Sequence, residues 1–137
     1  MTPIFKTRDV QKSLYTNYLQ RAEECCHAAK ASINNQEWTA ATINAIHSCI
    51  AACDAMCVFY IGKRHAGEGH NDTVVLFKSI KDNEQMNANA KRLSRIVSIK
   101  NMAEYEERLV YRSEAESALK DCERFLDFVK QELPGSR

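Results

Sequence analysis

One stretch of this chain limits its fold more than any other. Ala40 to Ile61 runs for 22 residues with a single formal charge, Asp54. An apolar helix of that length could cross a bilayer. Asn44, His47, Ser48 and Asp54 fall near its middle, however, where polar groups are costly in lipid. The stretch therefore reads as the buried central helix of a globular bundle, with no membrane role. Its apolar residues occupy two faces. Ile43, Ile46, Ile50, Cys53, Cys57 and Tyr60 follow one stripe, and Ala45, Cys49, Ala52, Met56 and Phe59 follow a second. A helix apolar on two sides packs on more than one neighbour. This reading places it over 36–62, with Gly62 as its end.

The same periodicity recurs on both sides. Over 9–33, Leu14, Tyr18, Ala22, Cys25, Ala29 and Ile33 give one apolar face, and Asn34-Asn35 supplies the stop. Lys63 to His70 reads as a mobile, exposed loop because of its two glycines and mixed charge. His70 or Asn71 could cap a short helix through Ile80, with Val74 and Phe77 inward. Met86, Ala90, Leu93 and Val97 mark a helix over 84–103. Ser113 and Glu116 fit a capping box for a last helix, whose face runs from Ala115 through Cys122 to Leu133 before Pro134-Gly135 stops it. No segment shows sustained period-two alternation, and 4 Gly and 2 Pro in 137 residues disfavour a turn-rich β fold. The expected product is one all-α domain over 1–137, with its core in 9–133. It is an up-and-down bundle of four to five helices.

A net charge of +1, from 19 basic and 18 acidic residues, excludes a basic nucleic-acid coat and an acidic tail. Residues 61–100 are locally basic, with eight Lys or Arg against four Asp or Glu. The first six residues lack an apolar leader, so the expected location is the cytoplasm and the six cysteines should be reduced. Cys49, Cys53 and Cys57 form a ladder on one helix face with rungs about 6 Å apart. Such a ladder lacks the convergent second pair of a closed zinc site, and buried thiols pack as small hydrophobes. Neither a metal nor a cofactor is expected. No phosphate-cradling glycine loop and no Gly-x-Ser-x-Gly elbow is present. Arg64-x5-His70 pairs a phosphate-holding guanidinium with a group that exchanges protons near neutral pH. That is the minimum for metal-free RNA cleavage. The plainer reading is a solvated basic loop in which His70 starts a helix.

The run Trp38 to Ala55, then His70 opening a short helix, then Lys100-Asn101-Met102-Ala103-Glu104-Tyr105, then a closing helix from Ser113 to Leu133, resembles the HEPN domain family in order and spacing. The resemblance covers about 10–133. It implies a helical bundle that pairs as a homodimer. Many members are metal-independent endoribonucleases of toxin–antitoxin or phage-defence systems, often beside a nucleotidyltransferase. Their signature is Arg-x4–6-His, usually Arg-Asn before the His, near the junction with the last helix. Here the best-matching position reads Lys100-Asn101-x3-Tyr105. Lysine can hold a phosphate as a point charge without the arginine fork. Tyrosine, with an ordinary pKa near 10, is a poor base at neutral pH. The expected role is therefore a non-catalytic dimeric module that binds RNA, a nucleotide or a cognate protein. Lys91, Arg92, Arg95, Lys100 and Asn101 would supply the anion contacts, with Arg92, Arg95 and Lys100 near one side of a helix. Two alternatives are an active ribonuclease using Arg64 and His70 or Lys100 and Tyr105, and a structural subunit with no nucleic-acid role.

Overall fold

A computed structural model describes residues 6–67 and 69–135, without the side chain of His70. Its elements are β1 (Thr7–Asp9), α1 (Tyr15–Asn34), α2 (Trp38–Ile61), β2 (Lys63–His65), α3 (His70–Lys78), α4 (Glu84–Ser98), α5 (Lys100–Tyr105) and α6 (Arg112–Glu132). The architecture is the expected all-α bundle, with a two-stranded ribbon at one side.

α2 lies at its centre. It is long and apolar enough to cross a membrane by length and composition. Within the fold it is a core helix, with fourteen of its twenty-four residues buried. Most of the two stripes foreseen from spacing is buried: Ala45, Cys49, Ala52 and Met56 on one, and Ile46, Cys53 and Cys57 on the other, while Ile43, Ile50 and Phe59 are half-buried and Tyr60 is exposed. Small side chains let α1 lie close along it. Ala22, Cys26 and Ala29 of α1 are buried, and Ser48 Oγ donates to the Ala22 carbonyl at 2.7 Å. A buried hydroxyl needs such a partner, since an unsatisfied one costs about 1–3 kcal/mol. α6 covers another side of α2 with Ala115, Ala118, Cys122, Phe125 and Val129. The cysteines pack as expected. Cys26 shares a hydrogen bond with Cys122, which also meets Cys49, and Cys57 meets Cys53. These bonds and burial push the thiol pKa values of Cys26 and Cys53 up, and Cys122 rises to about 12, so the sulfurs stay protonated and inert.

Four local expectations change. Lys63–His65 is a strand rather than a loop. It pairs antiparallel with β1 in the register Thr7↔His65, Arg8↔Arg64, Asp9↔Lys63. Gly62 makes the sharp exit from α2 possible at φ 67°, a left-handed turn that costs other residues about 1–2 kcal/mol. The first helix stops at Asn34-Asn35 as expected but starts at Tyr15 rather than at residue 9, because Thr7–Asp9 is drawn into the ribbon. The helix expected over 84–103 is broken at Ile99 into α4 and α5. There Ser98 Oγ donates to the Arg95 carbonyl at 2.8 Å and Ile99 N–H reaches Ile96 at 3.3 Å, a local competition that tightens the last turn. Finally, α6 starts one residue before Ser113. Glu114, rather than Glu116, accepts the Tyr111 N–H at 2.8 Å. Arg108 grips the same carboxylate at 2.7 and 2.9 Å and holds its pKa down at about 2. Glu116 instead pairs with Arg112 on the surface.

Candidate functional site

The ribbon and the break at Ile99 build one site between them. α2 ends at Gly62, and β2 then turns back, held by β1 and by the bond from Ala66 N–H to the Lys6 carbonyl. This carries Arg64 and His65 to the wall of a cavity of about 550 Å³, within the usual ~300–1,000 Å³ of small-ligand sites. Lys100, Asn101 and Tyr105 of α5 line the same cavity, as do Ile50 and Asp54 of α2. Two motifs that are separate in the sequence thus share one cleft. The arginine of Arg64-x5-His70 and the degenerate Lys100-Asn101-x3-Tyr105 face the same space.

The other site residues foreseen from sequence lie elsewhere. Lys91 is exposed on α4, and Arg92 donates to Asn89 Oδ1 at 3.0 Å. Arg95 faces α6, where its guanidinium forks onto Asp121 at 2.8 and 3.0 Å. The break at Ile99 separates it from Lys100, so Arg92, Arg95 and Lys100 do not form one continuous face. His70 opens α3, but its side chain lies outside the described residues.

The cleft has two kinds of cation. Lys100 Nζ is 3.2 Å from Glu104, which also binds His47 Nε2 at 3.0 Å. Burial alone would raise the Glu104 pKa, but the bonds from Lys100 and His47 outweigh it and lower it. Arg64 is less engaged. Its Nη1 donates to the His65 carbonyl at 3.1 Å, while its Nε is buried with no hydrogen-bond partner among the described residues. The His65 ring is held by the Thr73 hydroxyl, 3.1 Å from Nδ1. Burial lowers its pKa, Asp72 opposes that, and Arg64 adds to it. The imidazole is therefore neutral at physiological pH.

Sequence reasoning passed over Asp54 and His65 as site residues. The signal for Asp54 was plain, since it is the lone charge of the central stretch. Asp54 is 8% exposed. Burial drives its pKa up to about 7, against the pull of Arg64 and Arg21. Unfolded, such a carboxyl titrates near 3.9. Below about pH 4 it is neutral in both states and costs nothing. Between about pH 4 and 7 the folded chain keeps a proton that the unfolded chain releases, so stability falls as pH rises and levels off above 7. Three pKa units correspond to at most about 4 kcal/mol. Asp54→Asn should remove this slope, so that its gain over the wild type grows from pH 4 to 7 in urea titrations. A difference that stays constant with pH would contradict the assignment.

The family model of the HEPN domain matches residues 15–132, which include α1 through α6 and every residue of the cleft. The chain belongs to the HEPN family. No curated protein matches it in sequence. Lys100, read from the sequence as standing for the signature arginine, lines the cleft, and Arg64 brings a guanidinium to it from β2. Tyr105, read as standing for the signature histidine, also lines it and is 71% exposed. Among the described residues, no three His, Cys, Asp or Glu side chains converge as metal ligands.

Proposed function

We propose that this HEPN domain is a binding module that takes the phosphates of RNA or of a nucleotide in the Arg64–Lys100 cleft without cleaving them. The observation that carries this reading is the convergence of Arg64, Lys100 and Asn101 on one cavity from β2 and α5. Arg64 brings fork geometry with its Nε uncommitted, and Lys100 adds a second positive charge. Tyr105 offers an exposed ring for stacking at the rim. The module works in the cytoplasm as a homodimer, alongside a cognate protein such as a nucleotidyltransferase. The exposed Tyr105, Leu109 and Tyr111, at 71%, 75% and 62%, leave apolar surface uncovered on the segment after Lys100 and support pairing through it. Sedimentation of the free protein at the mass of one chain would count against that pairing.

A metal-independent ribonuclease is the second reading. It draws support from His65, a neutral imidazole beside Arg64 in the cleft. One assay separates the two. A short labelled oligoribonucleotide is titrated with the protein in EDTA, and binding and strand integrity are read together. The binding module gives saturable binding that weakens with salt, on an intact strand. Cleavage in EDTA that is lost in His65→Ala favours the nuclease. Absence of binding at low salt overturns both.

A further inference from the structure

The floor of the cleft carries a group that phosphate binding does not use. Asp54 is more than nine-tenths buried and lines the cavity. Among the described residues, no hydrogen bond or ion pair closes on its carboxylate. Arg64 is near enough to act on it through space, yet the two do not form an ion pair. A buried carboxylate facing a cavity without a donor is costly, and it has two ways to be satisfied: a proton, or a ligand that donates hydrogen bonds. An anion alone cannot satisfy it, because a phosphate brought to Arg64 and Lys100 would face a like charge at Asp54. A ligand that fits both must carry a negative group and a hydrogen-bond donor such as a hydroxyl. A ribose phosphate has that pattern, and a carboxylate accepting from a ribose hydroxyl is a familiar way for proteins to recognise ribonucleotides. The 2′-hydroxyl is also the group by which a protein tells RNA from DNA.

We propose that Asp54 is a specificity-determining residue of the cleft, accepting a hydrogen bond from the ribose 2′-hydroxyl of a ligand whose phosphate is held by Arg64 and Lys100. This rests on the phosphate-binding reading above and adds the sugar to it. His65, Thr73 and Asn101 also line the cavity. None of them carries a negative charge, so the charge-assisted bond to a hydroxyl falls to the carboxylate.

The test uses one short sequence in three sugar chemistries: ribose, 2′-deoxyribose and 2′-O-methyl ribose. Adenosine 5′-monophosphate and its deoxy form run beside them, to separate a strand from a free nucleotide. Affinities are measured at pH 8, where the carboxylate is ionised. The ribose forms should bind about 10- to 100-fold more tightly than the other two, the worth of one hydrogen bond to a charged group. Asp54→Ala should bring that ratio close to one. Asp54→Asn, which keeps an acceptor but not the charge, should leave an intermediate ratio. Equal binding of all three sugars by the wild type overturns this inference while leaving phosphate binding intact. Absence of binding by every form overturns the phosphate reading and this one with it. Should the Asp54 variants fail to fold, the wild-type ratio alone decides.

Discussion

Arg64→Ala should weaken binding of an oligoribonucleotide by about 10- to 100-fold, the range for losing hydrogen bonds to a charged partner. The reason is geometric. Arg64 sits on a three-residue strand anchored by β1, so its approach to the cleft is set before a ligand arrives. A preorganised fork gives more than a mobile lysine at the same charge. Arg64→Lys should therefore recover only part of the loss. Lys100→Ala should cost less, because Glu104 already holds that ammonium at 3.2 Å. Arg95→Ala is the control. Its fork is closed on Asp121, outside the cleft, and its removal should change affinity by less than about threefold, the scale of an exposed ion pair. Fluorescence anisotropy at fixed low salt reads all four. Equal losses for Arg64→Ala and Arg95→Ala would mean that diffuse surface charge, not the cleft, holds the strand. Arg64→Ala should also push the Asp54 pKa further up, since the guanidinium is the larger of two influences that lower it.

Phe77→Ala should destabilise the fold by about 3–5 kcal/mol. α3 is nine residues long, too short to persist alone. It is held by Phe77, which is fully buried. Its ring lies 5.2 Å from Phe125 and 6.5 Å edge-on from Phe128, both on α6. Domains of this size are stable by only about 5–15 kcal/mol, so the loss is a large share. In urea the midpoint should fall with the slope little changed. The effect should reach the site, because α3 carries Thr73, which positions the His65 ring. A loss below about 1 kcal/mol would show that α3 is not docked as described. Val75, on the other side of the same helix, is 41% exposed, and Val75→Ala should be close to neutral.

Most of the bundle was legible because helix periodicity is a local signal. The two stripes of α2, the inward Phe77 and the face of α6 all follow from spacing of three and four. What escaped has nonlocal or competing causes. β2 is three residues long and forms only because Thr7–Asp9, more than fifty positions earlier, pairs with it. No window around Lys63 holds that information. Ile99 breaks a helix whose apolar pattern continues, through hydrogen bonding that periodicity does not encode. Ser113 and Glu116 carry the capping pattern in the sequence, yet Arg108 fixes Glu114, and that carboxylate takes the Tyr111 N–H instead. The site followed the same rule. Arg64, Lys100, Asn101 and Tyr105 were found by residue type, but their meeting in one cleft depends on the ribbon and the break at Ile99. Asp54 was noticed only as an obstacle to a membrane span. A lone charge in an otherwise apolar core helix is better read as a group the fold retains at a cost.

A ribose phosphate held between β2 and α5 should leave its mark on the residues of the cleft alone. Backbone amide shifts of the labelled protein, followed by NMR as a short oligoribonucleotide is added in EDTA, test it most directly. Saturable shifts should concentrate at Arg64, His65, Lys100 and Asn101, with Asp54 among them and Lys91, Arg92 and Arg95 little changed. Shifts centred on Arg92 and Arg95 with Arg64 and Lys100 unmoved would contradict it.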